Sequence, residues 1–372
     1  MRHANALSLT SFTCLAALLA AFPPAAFAAG PVKAVKGSLF NPADFASLGK
    51  CSVGAKQAIT FDTGSKDREP TITGAFTGKG ALGVCEGGKV EVAVFNFDEL
   101  QLKQGSTVTI TGERGIVILA KGEIVLETPL SVSGKDGAAG KAGVVGITAA
   151  GGPGATNQRP TAPASGGSHG GVGGGSSDYA AEAAKSPGSS PSGKAYGDGP
   201  VTDLLGGSGG TPGANPGGGG GGGGGGAIAV ISLTKLTMTG DSSISANGGA
   251  GGVGKTAGAG GSGGTIVVAA PTFWFRWGGL SVKGGAGATG GPGVAAELLS
   301  GASARQTGSG GGGSGGRVAY YTVEDLGAKG KDQLEPAAPA YYATDVDGGD
   351  GGYRAADGDH GSIYDGTWPF AK

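Results

Sequence analysis

Ten consecutive glycines, Gly217 to Gly226, limit most severely what this chain can fold into. A backbone without side chains has no apolar surface to bury and the most conformational entropy to lose. Such a run is either a loose connector or part of an arrangement in which backbone packs directly on backbone. It is not isolated. Residues 248–264 read GGAGGVGKTAGAGGSGG, and residues 284–316 end in GSGGGGSGG. Glycine supplies 85 of 372 residues, about three times the ~7 % norm.

What lies between the tracts is repetitive. Val92–Gly112, Ile116–Gly134, Ile228–Gly248 and Ile266–Gly284 each hold an apolar run, a second run, and a short strand closing on glycine. The closing strands align as Val108-Thr-Ile-Thr-Gly, Leu130-Ser-Val-Ser-Gly, Ile244-Ser-Ala-Asn-Gly and Leu280-Ser-Val-Lys-Gly. A further copy begins at Arg317, and Ile59–Asp62 with Thr71–Gly74 reads as an earlier, looser coil. The runs are rich in Val, Ile, Leu and Thr with an apolar spacing of two, so they predict strands. Three short strands in a unit of ~20 residues is what one turn of a stacked solenoid needs, since one turn cannot bury its own apolar face. The expected fold is all-β: a parallel β-helix-like stack of strand repeats with glycine-rich excursions. A sandwich of hairpins is the competing arrangement, but the two-residue turns it wants are mostly missing.

The long insertions all fall between a closing strand and the next opening strand, so they project from one side of the stack. Two readings of them stay open. One is flexible Gly/Ser linker. The other is extended helices of polyproline-II type, packed side by side as polyglycine II, because only glycine lets backbones approach that closely. Collagen is excluded, because a strict Gly-X-Y period is missing and only 19 residues are Pro.

The chain starts like an exported protein. Arg2 and His3 precede an apolar run, Leu15–Phe22; Pro23 and Pro24 then end it, and Ala26-Phe27-Ala28 offers a small-x-small cleavage pattern. The run is shorter than the ~20 residues a spanning helix takes. Cys51 and Cys85 remain after cleavage; an even pair in an oxidising compartment predicts a disulfide. It would close a loop of about 34 residues, worth on the order of 3–4 kcal/mol. The organisation expected is a signal peptide over 1–28, β coils over 29–133, a Gly/Ser/Pro-rich and partly disordered excursion over 134–226, β coils with glycine insertions over 227–326, and an Asp/Gly-rich cap over 327–372. A short helix is expected at Asp178–Lys185 (DYAAEAAK).

Charge argues against whole classes of partner. The formal net charge is −1 with 15 % charged residues, which gives no electrostatic case for nucleic acid or an anionic membrane. Gly249–Thr256 fits the phosphate-loop pattern, but the sequence after it, AGAGGSGG, cannot form the helix that motif requires, so no nucleotide is expected. The acidic residues of the units (Asp98, Glu99, Glu123, Glu127, Asp241) recur at no common register, and the expectation is a non-catalytic protein without a cofactor.

Three local features remain as candidate sites. Asp345, Asp347 and Asp350 lie in an Asp/Gly-rich stretch with Asp357, Asp359 and Asp365, and such oxygen ligands suit Ca²⁺. In Phe273-Trp274-Phe275-Arg276-Trp277, alternation sets Trp274 and Arg276 on one face. With Tyr320 of the next coil these form a candidate surface for stacking sugar rings. Thr107, Thr109 and Thr111 alternate as an ice-binding face would, but the pattern does not persist into later coils.

Thr60-Phe61-Asp62-Thr63, Val92–Phe95 with Phe97-Asp98, Val108–Gly112, Ile116–Ala120, Leu130–Gly134 and Ile244–Gly249 together resemble a group of secreted bacterial glycine-rich proteins. The resemblance covers most of residues 59–320 and implies a β-helix-like core with glycine excursions, and no settled activity. The likeness to mycobacterial PE-PGRS proteins is one of composition only. The functional expectation is a secreted structural or adhesive cell-surface protein whose partners are surface glycans or other envelope components. Its alternative is a carbohydrate-binding or polysaccharide-cleaving β-helix.

Overall fold

The computed structural model describes residues 31–88, 90–137, 166–169, 173, 195, 201–213, 217–254, 256–276, 279–290, 309–323, 344–350 and 358–370. Within them the chain is all-β, and the 3₁₀ turn Pro42–Asp44 is the only helix. The N-terminal part supplies β1 (Val32–Lys33), β2 (Lys50–Val53), β3 (Ala58–Asp62), β4 (Thr71–Gly74), β5 (Gly78–Lys79) and β6 (Ala81–Val84). Strand triplets follow: β7 (Glu91–Phe97), β8 (Glu99–Leu102) and β9 (Thr107–Thr111); then β10 (Gly115–Ala120), β11 (Ile124–Leu126) and β12 (Leu130–Ser131). Next come β13 (Ala227–Ser232), β14 (Lys235–Met238) and β15 (Ser243–Ser245), then β16 (Thr265–Ala269), β17 (Thr272–Phe275) and β18 (Gly279–Ser281). The last are β19 (Arg317–Thr322), β20 (Thr344–Asp345) and β21 (Ser362–Thr367).

Like strands of successive triplets lie side by side. The order β1-β6-β7-β10-β13-β16-β19-β21 forms one sheet, β17-β14-β11-β8-β2 a second, β12-β15-β18-β20 a third and β5-β4-β3-β9 a fourth. From β7 to β21 the first sheet is parallel, and so are the second and third. The N-terminal strands break the pattern: β6 runs antiparallel to β7, and β4 pairs antiparallel with both β3 and β5. The sheets as a whole are therefore mixed. Ile59–Asp62 and Thr71–Gly74 form a hairpin rather than an earlier coil, and β9 pairs with β3 rather than with β12.

Register keeps like side chains in rows. Phe95, Ile118, Val230, Val268 and Tyr320 follow one another on the first sheet, Leu100, Ile124, Leu236 and Phe273 on the second, and Leu130, Ile244 and Leu280 on the third. All join one buried cluster between the sheets. Each fully buried Leu, Ile or Phe there is worth about 1.5–3 kcal/mol. The opening strands are also buried on their other face. Val94, Val117, Ala229, Val267 and Ala319 pack under Phe40, Phe45, Val201, Leu204 and Phe370 in a second cluster. Parallel strands covered on both faces read as continuous apolar runs, which is why AIAVIS and TIVVA carry no polar alternation.

The described glycine segments form one hydrogen-bonded body beside the strands. The chain leaves β12, β15, β18 and β20 as outgoing segments (131–137, 246–252, 282–288, 344–350) and returns to the first sheet as 217–226, 256–264, 310–316 and 358–361. The segment 256–264 shows the bonding. Gly258, Gly261 and Gly264 donate to the carbonyls of Gly252, Gly249 and Ala246; Ala259 and Ser262 donate to Thr211 and Ser208; Gly260 and Gly263 donate to Gly311 and Ser314. These bonds measure 2.6–3.0 Å, and the donor direction recurs at every third residue, the period of a polyproline-II chain. Close approach demands glycine: a Cβ on Gly222 would lie 1.9 Å from the Gly249 carbonyl oxygen. Residues 134–137, 207–213 and 217–226 of the long excursion belong to this body, whereas Val201 and Leu204 cover the first sheet. Residues 151–165 and 178–185, including the expected helix, lie outside the described residues.

Candidate functional site

The expected disulfide is not formed: Cys51 and Cys85 are both free, buried thiols. Cys51 opens the Leu100 row inside the strand stack, whereas Cys85 lies in the cluster under Phe40, where the Leu204 N–H donates to its Sγ at 3.4 Å. Opposite faces of the first sheet thus hold the two sulfurs apart. Burial pushes each thiol up to about 11, so neither is an activated nucleophile.

The aromatic surface is half what the sequence predicts. Phe273 and Phe275 point inward, while Trp274 is 37 % exposed and Arg276 is exposed beside it. Lys235 Nζ lies 5.5 Å from the Trp274 ring centroid, and its neighbour Thr237 donates to Glu123 Oε1 at 2.7 Å. Tyr320 does not extend this surface. It is 1 % exposed, its ring meets Phe273 edge-on, and its hydroxyl bonds the Thr344 hydroxyl. The row rule explains the correction: Tyr320 continues Phe95 and Val268 into the core. Burial raises its phenol to about 12. Trp277 lies outside the described residues.

Asp345, Asp347 and Asp350 do not converge. Asp345 pairs with Lys283 Nζ at 2.5 Å, Asp347 with His360 Nδ1 at 3.1 Å, and Asp350 is exposed. Among the described residues no group of three His, Cys, Asp or Glu side chains could hold a metal ion. The bond to Asp345 raises the Lys283 ammonium above its ordinary value. The phosphate-loop match is part of the glycine body: the N–H groups of Gly249, Gly251 and Gly252 donate to Gly223, Ala286 and Gly220. Lys255 lies outside the described residues.

The outgoing segments form the solvent-facing side of the glycine body. Gly134 and Gly137 donate to Asn247 and Ala250, Gly248 and Gly251 to Lys283 and Ala286, and Gly284 and Gly287 to Asp347 and Asp350. The segments therefore run parallel and in register. Outward positions come every third residue: Ser133 and Asp136; Asn247 and Ala250; Lys283 and Ala286; Asp347 and Asp350. Acceptor side chains at three of these positions cap the next segment. Ser133 Oγ accepts from the Asn247 N–H at 3.0 Å, Asp136 Oδ1 from Ala250 at 2.8 Å, and Asn247 Oδ1 from Lys283 at 2.8 Å. Sequence inspection missed this role. Its signal is a Ser, Asp or Asn spaced by three and followed by glycine, as in Ser133-Gly-Lys-Asp136.

The first triplet joins the second through only Gly112–Gly115, and among the described residues no glycine segment leaves the stack there. A cavity of about 290 Å³ opens there between Thr111, Arg114, Ser131, Ser133, Gly206 and Gly226. The Arg114 guanidinium braces its wall. It donates to the carbonyls of Thr63 and Arg68 at 3.3 and 3.1 Å, and Glu91 lies 3.5 Å from its Nε.

His169, which in sequence sits among loop glycines, is buried inside the glycine body. Its Nδ1 is 2.8 Å from the Gly263 carbonyl oxygen and its N–H donates to Ser314 Oγ at 2.9 Å. A carbonyl only accepts, so Nδ1 carries the proton. Burial, reinforced by the nearby Arg317 charge, lowers its pKa to about 4.

No family model, curated protein or solved structure matches this chain. Among the described residues no helix is long and apolar enough to cross a membrane.

Proposed function

We propose that this chain is a secreted, non-catalytic structural or adhesive protein of the cell surface. It would be built as a parallel β-helix-like stack carrying a polyglycine-II body. The observation that supports this reading best is the bonding of segment 256–264 to neighbours on several sides at every third residue. Such bonding turns glycine, the most flexible residue, into a stiff and broad element. Among the described residues, its outward side is ruled by parallel, in-register segments. A face of that kind suits attachment to an extended partner, such as a surface glycan or another envelope component. The apolar run and cleavage pattern at residues 15–28 support export. The test is to express the full chain in a Gram-negative host and find where it resides. Mature protein in the envelope or medium, beginning near residue 29 and adhering to isolated envelopes, fits the proposal. Retention in the cytoplasm with its first residues intact contradicts it.

Carbohydrate binding at Trp274 is the second reading, favoured by an exposed indole beside Arg276 on a parallel sheet. Lys235 over the ring leaves less of it for a sugar. Glycan-array binding that vanishes in Trp274→Ala supports this reading, and an array without signal removes it.

A further inference from the structure

Among the described residues, the row of in-register outgoing segments ends at one edge. Ser133, Asp136 and Asn247 each accept an N–H from the following outgoing segment. Thr344–Asp350 is the last such segment described, and in the same register it carries Asp347 and Asp350 at the capping positions. Both are exposed. One oxygen of Asp347 meets His360, and the Asp350 carboxylate has no hydrogen-bond or ion-pair partner among the described residues. The Gly348 N–H occupies the place from which Gly134, Gly248 and Gly284 donate to the next segment. It too has no partner among the described residues. Beside it, β21 is the outer strand of the first sheet. Ser362 and Trp368 donate inward to Gly316 and Thr322, so strand alternation turns the N–H groups of Ile363, Asp365 and Thr367 outward. Ile363 is 42 % exposed.

We propose that this edge is a docking site for one further extended glycine-rich segment, supplied by another polypeptide and lying parallel to Thr344–Asp350. The inference rests on the polyglycine-II reading above and names a partner for it. The occupant follows from continuity: the chain already makes this interface between its own outgoing segments, with the same donors and spacing, and with side-chain caps at the first two of the three interfaces. Asp347 and Asp350 would accept N–H groups three residues apart, and the Gly348 N–H would donate to a carbonyl of the incoming chain. Edge addition of this kind draws affinity from main-chain bonds and selectivity from what fits between them. Only glycine at the inward positions avoids the carbonyl clash found at Gly248 and Gly285.

The probe is a labelled synthetic peptide of the chain's own second outgoing segment, Ile244–Gly254 (ISANGGAGGVG). Its Asn247 and Ala250 N–H groups are the ones that Ser133 and Asp136 cap internally. Fluorescence anisotropy against the full-length protein should show saturable binding. Asp350→Asn, which keeps an acceptor oxygen, should retain it. Asp350→Leu should weaken it about tenfold, the worth of one charge-assisted bond. A peptide with its five glycines replaced by alanine should not bind, and Gly348 should gain amide protection only with the glycine peptide. Absence of binding to the wild-type protein, or equal binding of the alanine peptide, overturns the proposal. Amide protection within 217–226 and 256–264 without peptide reports on the polyglycine-II reading itself, so the two failures are distinguishable.

Discussion

Substituting adjacent glycines of the same run separates a packed glycine body from a linker. A Cβ on Gly222 would lie 1.9 Å from the Gly249 carbonyl oxygen, whereas on Gly223 its nearest neighbour is the Lys135 nitrogen at 3.1 Å. Gly222→Ala must push the outgoing segment away. That strains the Gly222 N–H bond to Ala259 at 2.9 Å and the Gly249 N–H bond to Gly223 at 2.8 Å. Two bonds at about 1 kcal/mol each, with about 1–3 kcal/mol of overpacking, give a loss of roughly 3–5 kcal/mol. Gly223→Ala needs a shift of a few tenths of an ångström and should cost at most about 1 kcal/mol, offset in part by the ~0.4–1 kcal/mol that alanine removes from unfolded-chain entropy. Urea unfolding followed by circular dichroism reads both as midpoint shifts at constant slope. Equal stability of the two variants, or a gain in Gly222→Ala, refutes the packing argument. A linker would behave that way.

His169 should make stability fall with acid. Its folded pKa of about 4 lies below the ordinary 6.5, so the unfolded chain binds the proton more readily, and the contribution present above pH 6.5 is lost as pH falls through 4. At ~1.4 kcal/mol per unit that is up to about 3 kcal/mol; a denaturation series over pH 4–7 should show this slope and His169→Asn should flatten it, while an unchanged slope in the variant contradicts the assignment. Asn247→Ala removes the acceptor for the Ser281 hydroxyl at 2.7 Å and the Lys283 N–H at 2.8 Å. A loss of about 1–2 kcal/mol is expected in thermal melts; an unchanged melting curve counts against the capping role. The native protein should resist thiol reagents at Cys51 and Cys85, both reacting once it is unfolded, and reductant should leave its stability unchanged. A mass two hydrogens lower without reductant would restore the disulfide.

Much of the strand framework is readable from the residues. The closing strands at Leu130, Ile244 and Leu280 pair in the register their alignment suggests. Val108, the fourth member of that alignment, pairs instead with Ile59, because the N-terminal hairpin supplies β9 with a nearer neighbour. Burial of the outer face of the first sheet is not readable locally. Its cover comes from Phe40, Val201, Leu204 and Phe370, residues far apart in sequence, and only the absence of polar alternation hints at it. Tyr320 and Cys51 show the same limit. Each is assigned correctly once its row is known, and rows depend on register between strands separated by long insertions. The caps at Ser133, Asp136 and Asn247 look like ordinary polar residues in a glycine loop until a neighbouring segment offers them an N–H.

Amide hydrogen exchange of the native protein at neutral pH distinguishes glycine as architecture from glycine as tether. Each glycine of 217–226 and 256–264 whose N–H donates to a neighbouring segment should exchange as slowly as residues of β13 and β16, because all open only when the packed body opens. Exchange of these amides at the rate of an unstructured peptide, with the strands still protected, would contradict the account.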